Sequence, residues 1–290
     1  MVTTAWLGAA AVGLTLGLLG SGGAILTVPI LVYLVGHGEK SAIAESLAIV
    51  ASIAAVGALR AAAQGRVDVR NAALLAFPGV VGTIVGVTLS RFIPGAVQLA
   101  LLAVLMLAAS AMMLKGQHRS TVSAPAQHAA PPTSVGPVSH WSSRPWGVAA
   151  QGVGLGMVTG LVGVGGGFLI VPVLVLIRRL PMPTAVGTSL AVIAFNSAFG
   201  FLKHLTPTMA PATTGEAVAI DWGVVGTFSV VGIAGSLAGG AIAGRIHQHI
   251  LKRAFAVFLI LMAGYILVRQ APIVLQAPTA AAPQAGRNLP

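Results

Sequence analysis

Apolar runs dominate this chain, broken only by short polar stretches, and no two-residue alternation suggests strands. Residues 42–59 and 72–89 are almost wholly apolar, and each is long enough to cross most of the roughly 30 Å of a bilayer's hydrocarbon. The pattern predicts ten helical pieces in two groups of five. The first group is 5–19, 23–36, 41–62, 71–91 and 96–114; the second is 146–162, 166–178, 184–204, 222–243 and 249–268. The first two pieces of each group are short. At 1.5 Å per residue, ~15 residues reach only ~22 Å, so each short pair reads as two half-helices meeting at a break.

The two groups repeat one another. A shift of 143 residues lays Gly17–Pro29 on Gly160–Pro172, matching Gly20 to Gly163, Gly22 to Gly165, Gly23 to Gly166 and Pro29 to Pro172. The same shift lays "ESLA" at Glu45–Ala48 on "TSLA" at Thr188–Ala191. Later the shift grows to about 153, pairing Gly82 and Gly86 with Gly235 and Gly239. The pattern is that of an internally duplicated membrane module. The predicted organisation is a membrane repeat over 1–115, a flexible Pro/Ser/Ala/His-rich linker over 116–145, a second repeat over 146–270 and a disordered tail over 271–290.

Composition agrees. The chain is 56% hydrophobic and 7% charged, against about 25% charged in soluble domains, with a mean hydropathy of +0.94. The formal charge of +11 does not point to nucleic acid, because the basic residues are scattered between apolar segments like membrane loops. No cysteine is present, which excludes disulfides, thiol catalysis and cysteine-held metal. The N-terminus lacks a basic residue ahead of its apolar run, so it reads as retained and not as a cleaved signal.

Charge also orients the chain. If each half-helix pair returns to its starting side, every repeat crosses an odd number of times and the two repeats are inverted. Eleven Lys and Arg then fall on one side and five on the other, as expected when the first side is cytoplasmic. The expected fold is therefore an all-α polytopic membrane protein with two inverted repeats, each holding a half-helix pair at a GxGG turn plus three spanning helices. Both termini lie outside the cytoplasm and the linker inside it.

The clustered glycines suggest a site. A backbone break at membrane depth is tolerated only against protein or a water-filled cavity, and glycine permits the positive φ of a tight turn. The helices that follow, beginning near Gly22 and Gly165, present unpaired N–H groups and a positive dipole end. Two such ends near the midplane would bind an anion without a buried Lys or Arg. The substrate-binding candidates are Gly20, Ser21, Gly22, Gly23, Gly163, Gly165, Gly166 and Gly167, with Asn196 and Ser52 at similar depth. Asn196 is the strongest polar candidate because its amide donates two hydrogen bonds; bridging two helices is its plainer role. For Gly82, Gly86, Gly235 and Gly239, close helix packing is the preferred reading.

Ser46, Ser189 and Thr188 suit gates or vestibules nearer the two faces. Glu45 is an acidic residue inside an apolar run, where carboxylates often carry protons; the plainer reading is a carboxylate about a turn from its helix start, stabilised by the dipole and within reach of water. The histidines of the linker and of His247–His249 lack acidic or cysteine partners and read as surface residues. No metal site, cofactor or nucleic-acid partner is expected. The expected partners are a small anion, the lipid bilayer and protons.

The paired "GLLGSGGAILTVP" and "GLVGVGGGFLIVP", each followed by "ESLA" or "GTSLA", resemble the sulfite exporter TauE/SafE family, and so does the segment Gly235–Gly264. The resemblance implies a bacterial inner-membrane secondary transporter, exporting small anions such as sulfite, sulfonates or related organosulfur compounds. Alternating access, one repeat rocking against the other, is the leading mechanism. An anion channel without an occluded state is the alternative. An intramembrane enzyme is the weakest reading, since no Ser/His, paired Asp or His/Glu constellation falls at membrane depth.

Overall fold

The computed structural model describes residues 2–19, 22–115, 145–172, 174, 180–206, 219–242, 256–257 and 259–270. The linker (apart from Pro145), the tail, Gly20, Ser21 and His247–His249 lie outside them. Every described element is helical: α1 (Val2–Leu19), α2 (Ala24–Val35), α3 (Glu39–Ala63), α4 (Val69–Ser90), α5 (Gly95–Lys115), α6 (Pro145–Val162), α7 (Gly167–Pro172), α8 (Met182–Leu205), α9 (Trp222–Ile242) and α10 (Leu259–Gln270). Four of them, in α3, α4, α8 and α9, are long and apolar enough to cross a membrane. Their outward faces are apolar too: Val230 on α9 and Leu261 and Val268 on α10 are about two-thirds or more exposed, at 69%, 68% and 76%. Such a surface suits hydrocarbon, where a helix satisfies its own backbone.

The second helix is irregular. A 3-10 turn over Gly22–Leu26 passes into an α turn at Thr27–Ile30 and a π turn at Leu31–Val35. Pro29, which has no N–H to give to a helical ladder, sits buried in the middle of it. Gly36 closes the helix with φ +85, returning its N–H to the Leu31 carbonyl.

Directions follow from neighbouring residues. Along α4 and α6, Gly82 lies on Val153 and Gly86 on Met157 and Leu161, so the two run parallel. Between α1 and α9, Gly8 faces Phe228, Gly13 faces Gly232 and Gly235 faces Leu14, again parallel. The central helices α3 and α8 run antiparallel: Leu47 meets Gly200, Leu190 meets Gly57 and Ala61 meets Gly187. α9 lies alongside α3 in the same direction, through Ile53 with Gly232 and Arg60 with Leu237, and α4 alongside α8, through Thr83 with Gly200 and Arg91 with Lys203. Exchanging the two groups of five turns the α1–α9 pair into α6–α4, and the α3–α9 pair into α8–α4.

Glycine makes the closest of these crossings. Gly79, Gly82 and Gly86 of α4 interdigitate with Gly152, Gly156 and Gly160 of α6, and an added Cβ on Gly156, Gly82, Gly86 or Gly160 would strike a carbonyl of the facing helix. Small residues let two backbones approach this closely where hydrophobic burial gives no drive.

Candidate functional site at the glycine turn

Between α6 and α7 the backbone reverses through Gly163 (φ +76), Gly165 (φ +69) and Gly166 (φ +65). Three left-handed residues in four positions cannot belong to a right-handed helix, and only glycine takes them at little cost. That is why α7 starts at Gly167, later than the sequence pattern suggests. The turn is buried throughout, Gly163 to Gly167, and is wedged between the two central helices. A Cβ on Gly163 would come within 2.7 Å of Ile43 on α3; one on Gly165 would meet Val50 of α3 at 2.9 Å and Ile193 of α8 at 3.0 Å. On its other side, α7 packs against the 3-10 turn Gly22–Leu26. The segments following the two glycine motifs are thus brought together. In the first motif, Gly22 and Gly23 open that 3-10 turn.

Polar groups collect around this turn. Ser46 of α3 donates its hydroxyl to the Gly163 carbonyl and to Ile43 on its own helix. Thr159 of α6 sits against Gly166 and donates to the Leu155 carbonyl at 2.9 Å. Ser197 of α8 lies against Gly165, its Oγ 3.2 Å from where a Cβ would stand; it is fully buried and its hydroxyl has no hydrogen-bond partner. The neighbouring Asn196 is 1% exposed, and both atoms of its amide are likewise unpartnered. It presses on Gly79 of α4, where a Cβ would fall 2.5 Å from Nδ2. Thr27 on α2 is a further buried hydroxyl without a partner. Leaving one such group unpaired costs about 1–3 kcal/mol. Among the described residues no Lys or Arg is buried; any anion here would meet hydroxyls, an amide and backbone N–H groups.

Toward the ends of the central helices a second pattern appears. Glu45 on α3 is fully buried; its Oε2 lies 2.6 Å from His37 Nδ1 and its Oε1 accepts the Asp221 N–H at 2.9 Å. Asp221 in turn caps α9, accepting from the Gly223 and Val224 N–H groups. At the opposite end, Thr188 of α8 accepts the Asp68 N–H at 2.9 Å, and Asp68 caps α4 by accepting from the Asn71 N–H. An open pocket of about 640 Å³ borders the first of these ends, lined by His37, Ser41, Glu45, Asp221 and Trp222 among others.

Comparison with known proteins gives a direct result. The family described as Sulfite exporter TauE/SafE matches residues 5–266. The chain belongs to this family. Two "Probable membrane transporter proteins" of Xylella fastidiosa, from strains 9a5c and Temecula1 / ATCC 700964, are 33% and 32% identical to it over 261 residues, covering 89% of this chain and 92% of each relative. The "Probable membrane transporter protein YdhB" of Bacillus subtilis strain 168 is 33% identical over 115 residues, 40% of this chain and 43% of its own length. No solved structure matches. A TauE/SafE chain with several long apolar helices is a multi-pass membrane protein.

The residues singled out in the sequence distribute unevenly in this TauE/SafE fold. Gly163, Gly165 and Gly166 form the turn, with Ser46 bonded to it. Ser52 is half-buried and donates to the Ala48 carbonyl of its own helix at 2.9 Å; Ser189, buried, does the same to Val186 at 2.8 Å. Glu45 differs from the expectation of a helix-start carboxylate within reach of water. α3 begins at Glu39, which places Glu45 six residues in, where it is fully buried and bonded to His37 and the Asp221 N–H. Ser197, Thr159, Thr27 and His37 were not apparent in the sequence. The first three are ordinary hydroxyl residues in apolar helices, and His37 shows its partner only once its loop folds back onto α3.

Proposed function

We propose that this protein is a secondary transporter that exports small anions, such as sulfite, sulfonates or related organosulfur compounds, by alternating access across the bacterial inner membrane. The single observation that carries this reading is the buried, unpartnered Ser197 hydroxyl against Gly165 of the glycine turn; the neighbouring residue of α8, Asn196, holds a second unpartnered group, its amide, against Gly79 of α4. Together with N–H groups freed where the helical ladder breaks, they would supply neutral hydrogen-bond donors to a desolvated anion. The place of the Gly165 turn, against Val50 of α3 and Ile193 and Ser197 of α8, supports a site within the membrane. The family membership and the names of the Xylella relatives support the same class.

Inversion of the two repeats is part of this reading. Its support is directional: α1 and α9 run with α3, α6 and α4 run with α8, and α3 opposes α8. Corresponding helices of the two repeats, α1 and α6 or α4 and α9, therefore point in opposite senses. With the positive-inside bias, this sets both termini outside the cytoplasm and the 116–145 linker within it.

Reconstitution into proteoliposomes tests the proposal. Uptake of radiolabelled sulfite or a short sulfonate should saturate and show counterflow. Unsaturable conductance would identify a channel instead, and no movement of any small anion would end the reading.

A further inference from the structure

The two ends of the α3–α8 core are built on the same plan with different chemistry. Under the 143-residue shift, Glu45 corresponds to Thr188 and His37 to Leu180. Both Glu45 and Thr188 accept a backbone N–H from the aspartate that caps the adjacent spanning helix, Asp221 before α9 and Asp68 before α4, each at 2.9 Å. The Glu45 and His37 positions can take up a proton; the matched Thr188 and Leu180, a hydroxyl and a leucine, cannot.

We propose that His37 and Glu45 form a proton-binding site, and that one proton held by the pair keeps this end of the molecule packed, a device that the corresponding Leu180 and Thr188 lack. The argument is one of charge. Glu45 is fully buried, and with a neutral His37 the pair carries a net negative charge in an apolar surround, which is costly. One added proton makes the pair neutral, either as imidazolium with carboxylate or as imidazole with carboxylic acid. His37, 20% exposed at the pocket, gives the proton a route from water to the buried carboxylate. Losing it leaves an uncompensated buried charge, relieved by hydration, which requires α3, the 36–38 loop and the start of α9 to separate.

Among the described residues, the bonds to Glu45 come from His37 and the Asp221 N–H and not from another charged side chain. The Asp221 side chain is turned to the α9 N–H groups. Glu39, at the start of α3, accepts from Gln270 of α10 at 2.8 Å. Lys40 follows Glu39 on the first turn of α3, and Arg269 lies over the Tyr265 ring.

This inference rests on the transporter reading for its purpose but is tested without a substrate. The chain has no cysteine, so a single probe can be placed at Ala48, 6% exposed and one turn beyond Glu45, or at its counterpart Ala191 on α8. Modification of Ala48→Cys by a charged thiosulfonate, divided by the rate for the unfolded protein, should rise with pH by up to about tenfold per unit, the limit for one proton. The Ala191→Cys probe should not change. In Glu45→Gln, which keeps an oxygen for the Asp221 N–H, and in His37→Gln, the pH dependence should vanish. A flat profile in the parent Ala48→Cys protein, a slope surviving in both variants, or equal slopes at both probes would overturn the proposal. Infrared difference spectra or proton uptake on acidification, absent from Glu45→Gln, would support it. If the probes behave as expected while liposomes move no anion, the proton site stands and the transporter reading falls.

Discussion

Ser46 of α3 donates its hydroxyl to the carbonyl of Gly163, a residue 117 positions further along the chain. This bond fastens the glycine turn of the second repeat to a central helix of the first. Ser46→Ala leaves that carbonyl short of a donor, at a cost of about 1 kcal/mol. A lower melting temperature in detergent, without loss of expression, is the expected outcome. An unchanged melting temperature would mean that the turn is held by its packing alone.

Gly165→Leu should abolish transport while the protein still reaches the membrane. A left-handed φ costs a non-glycine residue about 1–2 kcal/mol, and the new side chain meets Val50, Ile193 and Ser197 at once. Gly154→Ala is the control: nothing lies within 4 Å of its added methyl, so it should be neutral, or stabilising by up to about 1 kcal/mol from helix propensity. Full flux through Gly165→Leu would remove the turn from the transport path.

Asn196→Ala and Ser197→Ala separate a ligand role from a structural one. Their polar atoms have no hydrogen-bond partner within the protein, so removing them should leave stability unchanged or slightly raised. Each lost bond to an anion is worth about 1–2 kcal/mol, or roughly tenfold in affinity. The expected result is a higher KM for the anion with an unaltered melting curve. Lower stability with normal KM would assign both residues to the scaffold.

Asp68 gives the fold a pH dependence with a definite sign. Hydrogen bonds from Asn71 hold its carboxyl below the usual 3.8. A group whose pKa is lowered by folding stabilises the native state above its unfolded value, and that contribution fades as pH falls through the folded one. Asp68→Ala should cost about 1 kcal/mol at neutral pH, as for other lost N-caps. The difference from the parent protein should shrink below pH 3.8. Chemical denaturation in detergent across this range would measure it.

The helices were largely legible because a membrane-crossing run must be long, apolar and unbroken, and the glycine motif could be read because it occurs twice. The predicted piece 71–91 is seen as Val69–Ser90 and 146–162 as Pro145–Val162. What could not be read is the azimuth of each side chain. In α8 the polar residues show no single-face pattern, so depth alone placed Asn196 while Ser197, one residue on, went unnoticed. Likewise His37 and Asp221 meet Glu45 from 8 and 176 residues away, and no local pattern announces either contact.

The glycine crossings bear on how such a molecule can move. α1 is clasped to α9 and α6 to α4, each pair joining a helix of one half of the gene product to a helix of the other. Spatial units therefore cut across the duplication: if these clasped pairs stay intact, two bodies that swing as rigid blocks are each a hybrid of both halves, in place of one repeat rocking against the other. Polypeptides ending at the linker and beginning after it should be unable to mature alone, yet able to rebuild the intact molecule when made in the same cell.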